Sequence, residues 1–115
     1  MKNRSINFLF AALIAGALAP AVFVLPAQAE KLPEVHHVHI KSFKFDPPEI
    51  TVKNGETIEF DNQDYAPHTA TADDKSFDTG TLKNGETKRI TVSKIGTIDY
   101  HCTFHPMMKA KIIIQ

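Results

Sequence analysis

The chain has 115 residues, with 13 basic and 13 acidic side chains, 6 histidines and 1 cysteine. This balance offers no basic surface for nucleic acid and no polybasic patch for a membrane. The lone Cys102 cannot form an intramolecular disulfide, so a thiol kept in an exported protein calls for another purpose, and binding a metal as thiolate is one.

Residues 1–29 read as an export leader. Lys2 and Arg4 give the positive start, Phe8 to Leu25 are apolar apart from small residues and Pro20, and Ala27-Gln28-Ala29 is a small-x-small cleavage pattern. Ala19-Pro20-Ala21 is a weaker competing site. The apolar run is nearly long enough to span a bilayer, but the interior proline and the clean cut after Ala29 favour removal. The mature chain, 115 less 29 residues from Glu30, is one domain of 86 with 11 basic and 13 acidic side chains. It is expected in the periplasm, free of the membrane and monomeric. A domain so small gains stability from a bound metal.

Val35 to Ile40 alternate as a strand, with Val38 and Ile40 on one face and His37 and His39 on the other. The parity slips between Ile40 and Phe43, which predicts a bulge or bend near Ser42. Asp46-Pro47-Pro48 breaks the strand, because neither proline donates to a ladder. Ile50 and Val52 then face inward, Asn54-Gly55 signals a hairpin, and Ile58 and Phe60 continue the inward face. Asn62 to Pro67 and Asp73 to Ser76 read as connections. Phe77 and Leu82 flank Gly80, and Asn84-Gly85 repeats the earlier turn before Ile90 and Val92. Lys-Asn-Gly-Glu-Thr occurs at 53–57 and 83–87, the same turn chemistry used twice rather than a repeat architecture. Beyond Ile95-Gly96, the residues Ile98, Tyr100 and Cys102 share a face, which puts the thiol inward and His101 outward. Ala110, Ile112 and Ile114 are the inward set of a last strand. About seven short strands with regular turn signals and no helical seam predict an all-β sandwich of two sheets.

The chemistry gathers in Tyr100-His101-Cys102-Thr103-Phe104-His105-Pro106-Met107-Met108. Thiolate, imidazole and thioether on one loop are a soft donor set that suits copper, with a methionine as weak axial ligand. His68, in Ala66-Pro67-His68-Thr69, can supply the second imidazole. A structural zinc site would show four Cys or His ligands and little use of thioether. A Cys102–His105 nucleophile pair lacks a third orienting group and an oxyanion motif. Core packing alone leaves His105 unexplained.

Cys-x2-His-x2-Met after a Tyr-ending strand, followed by Lys109-Ala110-Lys111-Ile112-Ile113-Ile114, resembles the C-terminus of an amicyanin-type cupredoxin, a relative of plastocyanin and pseudoazurin. The resemblance runs from about Val35 to Gln115. It implies a Greek-key β-sandwich of seven to eight strands with one type 1 copper ion beneath the loops at one end. His68, Cys102 and His105 would form the trigonal plane and Met108 the axial bond; Met107 is the rival by adjacency, and the family's spacing favours Met108. It further implies a carrier of single electrons and no enzyme. A dehydrogenase or a c-type cytochrome would dock near His105, Pro67, Phe104, Pro106 and Met107. The alternative is a copper-binding or copper-delivery protein without a dedicated electron partner.

Two departures from the family carry expectations. Phe104 stands where amicyanins have proline, which restores an N–H able to point at the Cys102 sulfur and raise the reduction potential. Thr69 stands where asparagine is common, and its shorter hydroxyl is expected to join the two ligand loops less firmly. His36, His37 and His39 form a candidate second metal cluster. His101 resembles the His-Cys link of copper nitrite reductases and multicopper oxidases, yet so short a chain holds no second copper domain, and it reads as an outward strand residue.

Overall fold

The computed structural model describes residues 14–115; Lys2, Arg4 and the beginning of the apolar run lie outside the described residues. Residues 14–34 carry no strand or helix, and Ile14, Leu18, Val22, Phe23, Val24 and Leu25 are all exposed. From Val35 onward the chain is all strand: β1 Val35–Lys41, β2 Lys44–Asp46, β3 Glu49–Val52, β4 Thr57–Asn62, β5 Thr71–Ala72, β6 Thr87–Thr91, β7 Gly96–His101 and β8 Lys109–Ile114. Two four-stranded sheets form, in the orders β2-β1-β4-β6 and β3-β8-β7-β5. Both are mixed: β1 runs parallel to β4, β3 runs parallel to β8, and the remaining neighbours are antiparallel.

Alternation places the core between the sheets. Val38 and Ile40 of β1, Ile58 and Phe60 of β4, and Ile112 of β8 are fully buried, with Ile98 and Tyr100 of β7 and Ala110 and Ile114 of β8 close behind. Phe45, Phe60 and Phe77 crowd around Tyr100, with ring centroids 4.7, 5.5 and 5.9 Å from it. Such offset and edge contacts add to what area burial alone provides. Ile50 and Ile90 are only partly buried against this core.

Both Asn-Gly sites are tight turns, with Glu56 N–H donating to Lys53 C=O at 3.1 Å and Glu86 N–H to Lys83 C=O at 3.0 Å. Neither is the hairpin that its sequence signals: β6, after the second, pairs with β4 and not with the residues just before the turn, and the first joins the two sheets. It carries the chain from β3 in one sheet to β4 in the other, because each of those strands finds a parallel partner far away in sequence. The expected bend near Ser42 is the true hairpin. Ser42 and Phe43, with φ of 52° and 58°, make the two-residue turn that pairs Lys41 with Lys44. Two consecutive left-handed residues are the signature of a type I′ turn, normally filled by Asn or Gly. An ordinary L-residue gives up about 1–2 kcal/mol to sit there.

Candidate metal centre

The ends of β1, β4 and β7 and the start of β8 lie at one pole, where the connecting loops converge. The loop after β7 closes on itself. Cys102 N–H donates to Met108 C=O (3.1 Å), His105 N–H to Cys102 C=O (3.2 Å) and Met108 N–H to His105 C=O (2.8 Å). The last two are i→i+3 bonds, so the spacing of Cys102, His105 and Met108 is that of two consecutive β-turns. Pro106 occupies the second position of the later turn, where its fixed φ fits. His68 comes from the loop between β4 and β5 and is pinned through its backbone. Its N–H donates to Leu82 C=O (3.0 Å), and Leu82 N–H donates back (2.7 Å).

These constraints bring three donor atoms together. Cys102 Sγ lies 3.7 Å from His68 Nδ1 and 3.7 Å from His105 Nδ1, and all three lie within 4.8 Å of one another. Metal bonds of about 2.0–2.3 Å to nitrogen and sulfur, opened to about 120°, separate their donors by about 3.7 Å. His68 and Cys102 are fully buried. Of the two methionines, Met108 is 6% exposed and Met107 94%, so only Met108 turns toward the interior beneath the loop.

The surroundings prepare the donors. His68 Nε2 faces Asp64 Oδ2 at 2.9 Å, and a carboxylate only accepts, so the ring proton belongs on Nε2 and the Nδ1 lone pair faces the sulfur. Partial burial of Asp64 pushes its carboxyl up, but the N–H groups of Phe43 and Ser42, then His68, outweigh it and hold the group below the usual carboxylate range. Thr69 N–H points at Cys102 Sγ from 3.4 Å and fixes the sulfur's orientation. A buried thiol able to bind as thiolate, two imidazoles and a buried thioether fit one copper ion, and among the described residues no fourth histidine, cysteine or carboxylate joins the grouped donors as zinc would want.

Residues 9–114 match the cupredoxin-like domain family. The chain belongs to that family. It is of the amicyanin type: amicyanin-alpha of Methylorubrum extorquens is 33% identical over 110 residues, 91% of this chain and 87% of that one. Amicyanin of Paracoccus denitrificans is 30% identical over 83 residues, 68% of this chain and 63% of that relative, so the match spans less than two thirds of its length. Among solved structures, a methionine-to-alanine mutant of amicyanin in its Cu(I) form is 32% identical with a TM-score of 0.67, covering 76% of this chain and 88% of its own. A copper-containing nitrite reductase from Thermus scotoductus is 31% identical with the same TM-score of 0.67, over 72% of this chain but 23% of that one.

In this cupredoxin the threonine after the first histidine ties the ligand loops together, against the expectation of looser joining. Thr69 Oγ1 accepts Thr103 N–H at 2.9 Å and also meets the hydroxyls of Thr103 (3.2 Å) and Thr71 (2.9 Å). A short side chain suffices because the two loops already lie in contact. The expected second N–H···S bond is not formed: Phe104 N–H is not among the sulfur's hydrogen-bond donors, which on the backbone are Thr69 N–H alone among the described residues. Phe104 instead shows half its surface to solvent. With exposed Pro106 and Met107, and with Phe43, it lines the surface beside the partly buried His105, while Pro67 is exposed on the loop that carries His68.

The three N-terminal histidines do not form one cluster. His36 turns the other way from His37 and pairs with Glu56 at 2.6 Å, with Glu34 nearby. His37 and His39 stack on the outer face at 6.5 Å opposite Glu59 and Asp61. His101 points outward to Asp73. Two residues of the site passed unread in the sequence, Asp64 and Phe43. Asp64 stands four residues before His68, and Phe43 stands between polar residues at a strand parity break; those were the available signals.

Proposed function

We propose that this is a periplasmic carrier of single electrons, whose one type 1 copper ion would be held by His68, Cys102, His105 and Met108. The observation that carries this reading is the pair of equal 3.7 Å separations from Cys102 Sγ to the two Nδ1 atoms, set between loops that are hydrogen-bonded shut. Bound copper supplies a one-electron couple. The chain's part is to hold its donors still, which keeps the reorganisation accompanying each electron small. Cys102 and His68 are fixed by strand ends and backbone bonds, Thr69 N–H fixes the sulfur's orientation, and Asp64 holds the His68 tautomer.

The edge of His105, beside Phe104, Pro106 and Met107, is the proposed exchange point, with Pro67 proposed to extend the patch. An exposed apolar surface of this size favours brief, weak docking with a dehydrogenase or a c-type cytochrome. Export of residues 30–115 after cleavage at Ala29 agrees with an apolar segment that stays off the core. The delivery alternative needs a site that opens, and the Thr69–Thr103 link works against it. An enzymatic role like that of the nitrite reductase would need the rest of that chain, of which this one spans 23%. Loading the mature protein with Cu(II) is expected to give an intense blue absorption band that Cys102→Ala abolishes. A pale spectrum indifferent to that substitution would overturn the reading.

A further inference from the structure

We propose that Phe43 is a positioning residue of the copper centre: its ring, locked in place by the Asp64-held turn, braces His68 and His105 and closes that side of the site to water and small anions. The inference rests on the ligand assignment above and goes beyond it. Phe43 stands where a glycine would be conformationally easiest, at φ 58° directly after Ser42 at 52°. Its ring is half exposed, so core burial does not explain the choice.

Two observations do. First, the turn is held from outside. Asp64 accepts Ser42 N–H at Oδ1 (2.7 Å) and Phe43 N–H at Oδ2 (2.9 Å), and the same Oδ2 meets His68 Nε2. Asp64 is itself fixed, since its N–H donates to Asn62 Oδ1 (2.9 Å) and its C=O accepts from Asn84 Nδ2 (2.9 Å). One carboxylate thus sets both the left-handed turn and the buried imidazole. Second, the ring meets both ligand candidates in the same way. Its centroid lies 5.0 Å from that of His68 and 5.0 Å from that of His105, with interplanar angles of 89° and 85°. The two imidazoles are themselves 5.1 Å apart, so the three rings form a closed triangle. An imidazole packed edge-to-face on a ring whose backbone is clamped has little room to rotate away. The Phe43 ring also borders, with Phe104, Pro106, Met107 and Met108, the apolar surface beside His105, so its removal would open that surface toward the imidazoles.

The test uses the mature protein and two variants. Phe43→Gly removes the ring and relieves the left-handed turn, so the fold is expected to persist; Phe43→Tyr keeps a ring. In the copper-free protein, nuclear Overhauser contacts between the Phe43 ring and both imidazoles are expected, and their absence overturns the proposal whatever copper does. With copper bound, the parent's blue band is expected to resist added azide, and that of Phe43→Gly to change with it. Phe43→Gly should release Cu(I) to bicinchoninate about 10- to 100-fold faster, and Phe43→Tyr should restore parent behaviour. A blue parent together with a Phe43→Gly protein equally resistant to azide and equally slow to release copper would overturn the bracing role alone. A parent with no blue band would overturn the ligand assignment, and this inference with it.

Discussion

Among single residues, Tyr100 departs most plainly from the rule that buried polar groups are paired. Its ring is the centre of the aromatic cluster, yet its hydroxyl is buried with no hydrogen-bond partner among the described residues. Burial pushes its phenol well above the usual range. Leaving a buried hydroxyl unsatisfied costs about 1–3 kcal/mol, whereas removing it with the ring shape kept does not. Tyr100→Phe is therefore expected to stabilise the protein by about 1 kcal/mol, read as a higher denaturation midpoint in urea with an unchanged slope. A drop in stability would mean the hydroxyl has a partner in solution. At this scale the sequence was most legible where chemistry is carried by residue type. A single cysteine, with histidine and methionine at turn spacing, announces a donor set without any fold. Phe43, Asp64 and Thr69 were illegible or misjudged because each acts through a partner more than 20 positions away in the chain, Asp64 on Ser42 and Phe43, and Thr69 on Thr103.

At the scale of elements, strand parity was readable and strand partnership was not. Val38 with Ile40, Ile58 with Phe60 and Ala110 with Ile112 and Ile114 all face inward as alternation requires, because period two is a local property. Whether the turn at Asn54-Gly55 makes a hairpin depends instead on β8 lying beside β3 and β1 beside β4. That turn has its own fastening. Glu56 Oε2 accepts Lys53 N–H at 2.9 Å and meets His36 Nε2 at 2.6 Å. These bonds, the Lys53 amide first and His36 next, hold the Glu56 carboxyl below its ordinary value of 4.5. A carboxyl lowered in the folded state contributes stability that is fully present above its unfolded value and fades as pH falls through the folded one. The stability difference between the parent and Glu56→Gln is accordingly expected to be constant above about pH 5.5 and to shrink as the pH drops from there toward 3. Denaturant melts across that range would show it. A difference that stays flat into acid would mean the carboxylate fastening contributes nothing.

For the molecule as a whole, the question is whether the metal makes the fold or finds it made. A small domain with few apolar side chains commonly depends on its metal, and zinc fingers unfold without theirs. Here the donors are in place through other bonds. Both sheets close over a core of 18 buried apolar residues among the described residues, of which Cys102 and Met108 are the two that are also proposed ligands. His68 is held by Leu82 and Asp64, and the Cys102–Met108 loop by three backbone bonds of its own. Neither set requires a cation. Removing copper should consequently leave the sandwich folded, with the dispersed proton spectrum of a packed core. What it removes is the binding free energy, which at a free-copper concentration of about 100 Kd is about 2.7 kcal/mol. For a domain of this size each kcal/mol moves the midpoint by about 4–8 °C, so the loaded protein should melt about 10–20 °C above the copper-free one. The gap should widen as free copper is raised, since it depends on the logarithm of that concentration. Thermal melts of the two forms under matched buffer decide it. A copper-free protein that is already unfolded at room temperature would show that the hydrogen bonds around His68 and Cys102 do not hold the ligand loops unaided, and that the copper centre is the keystone of the fold.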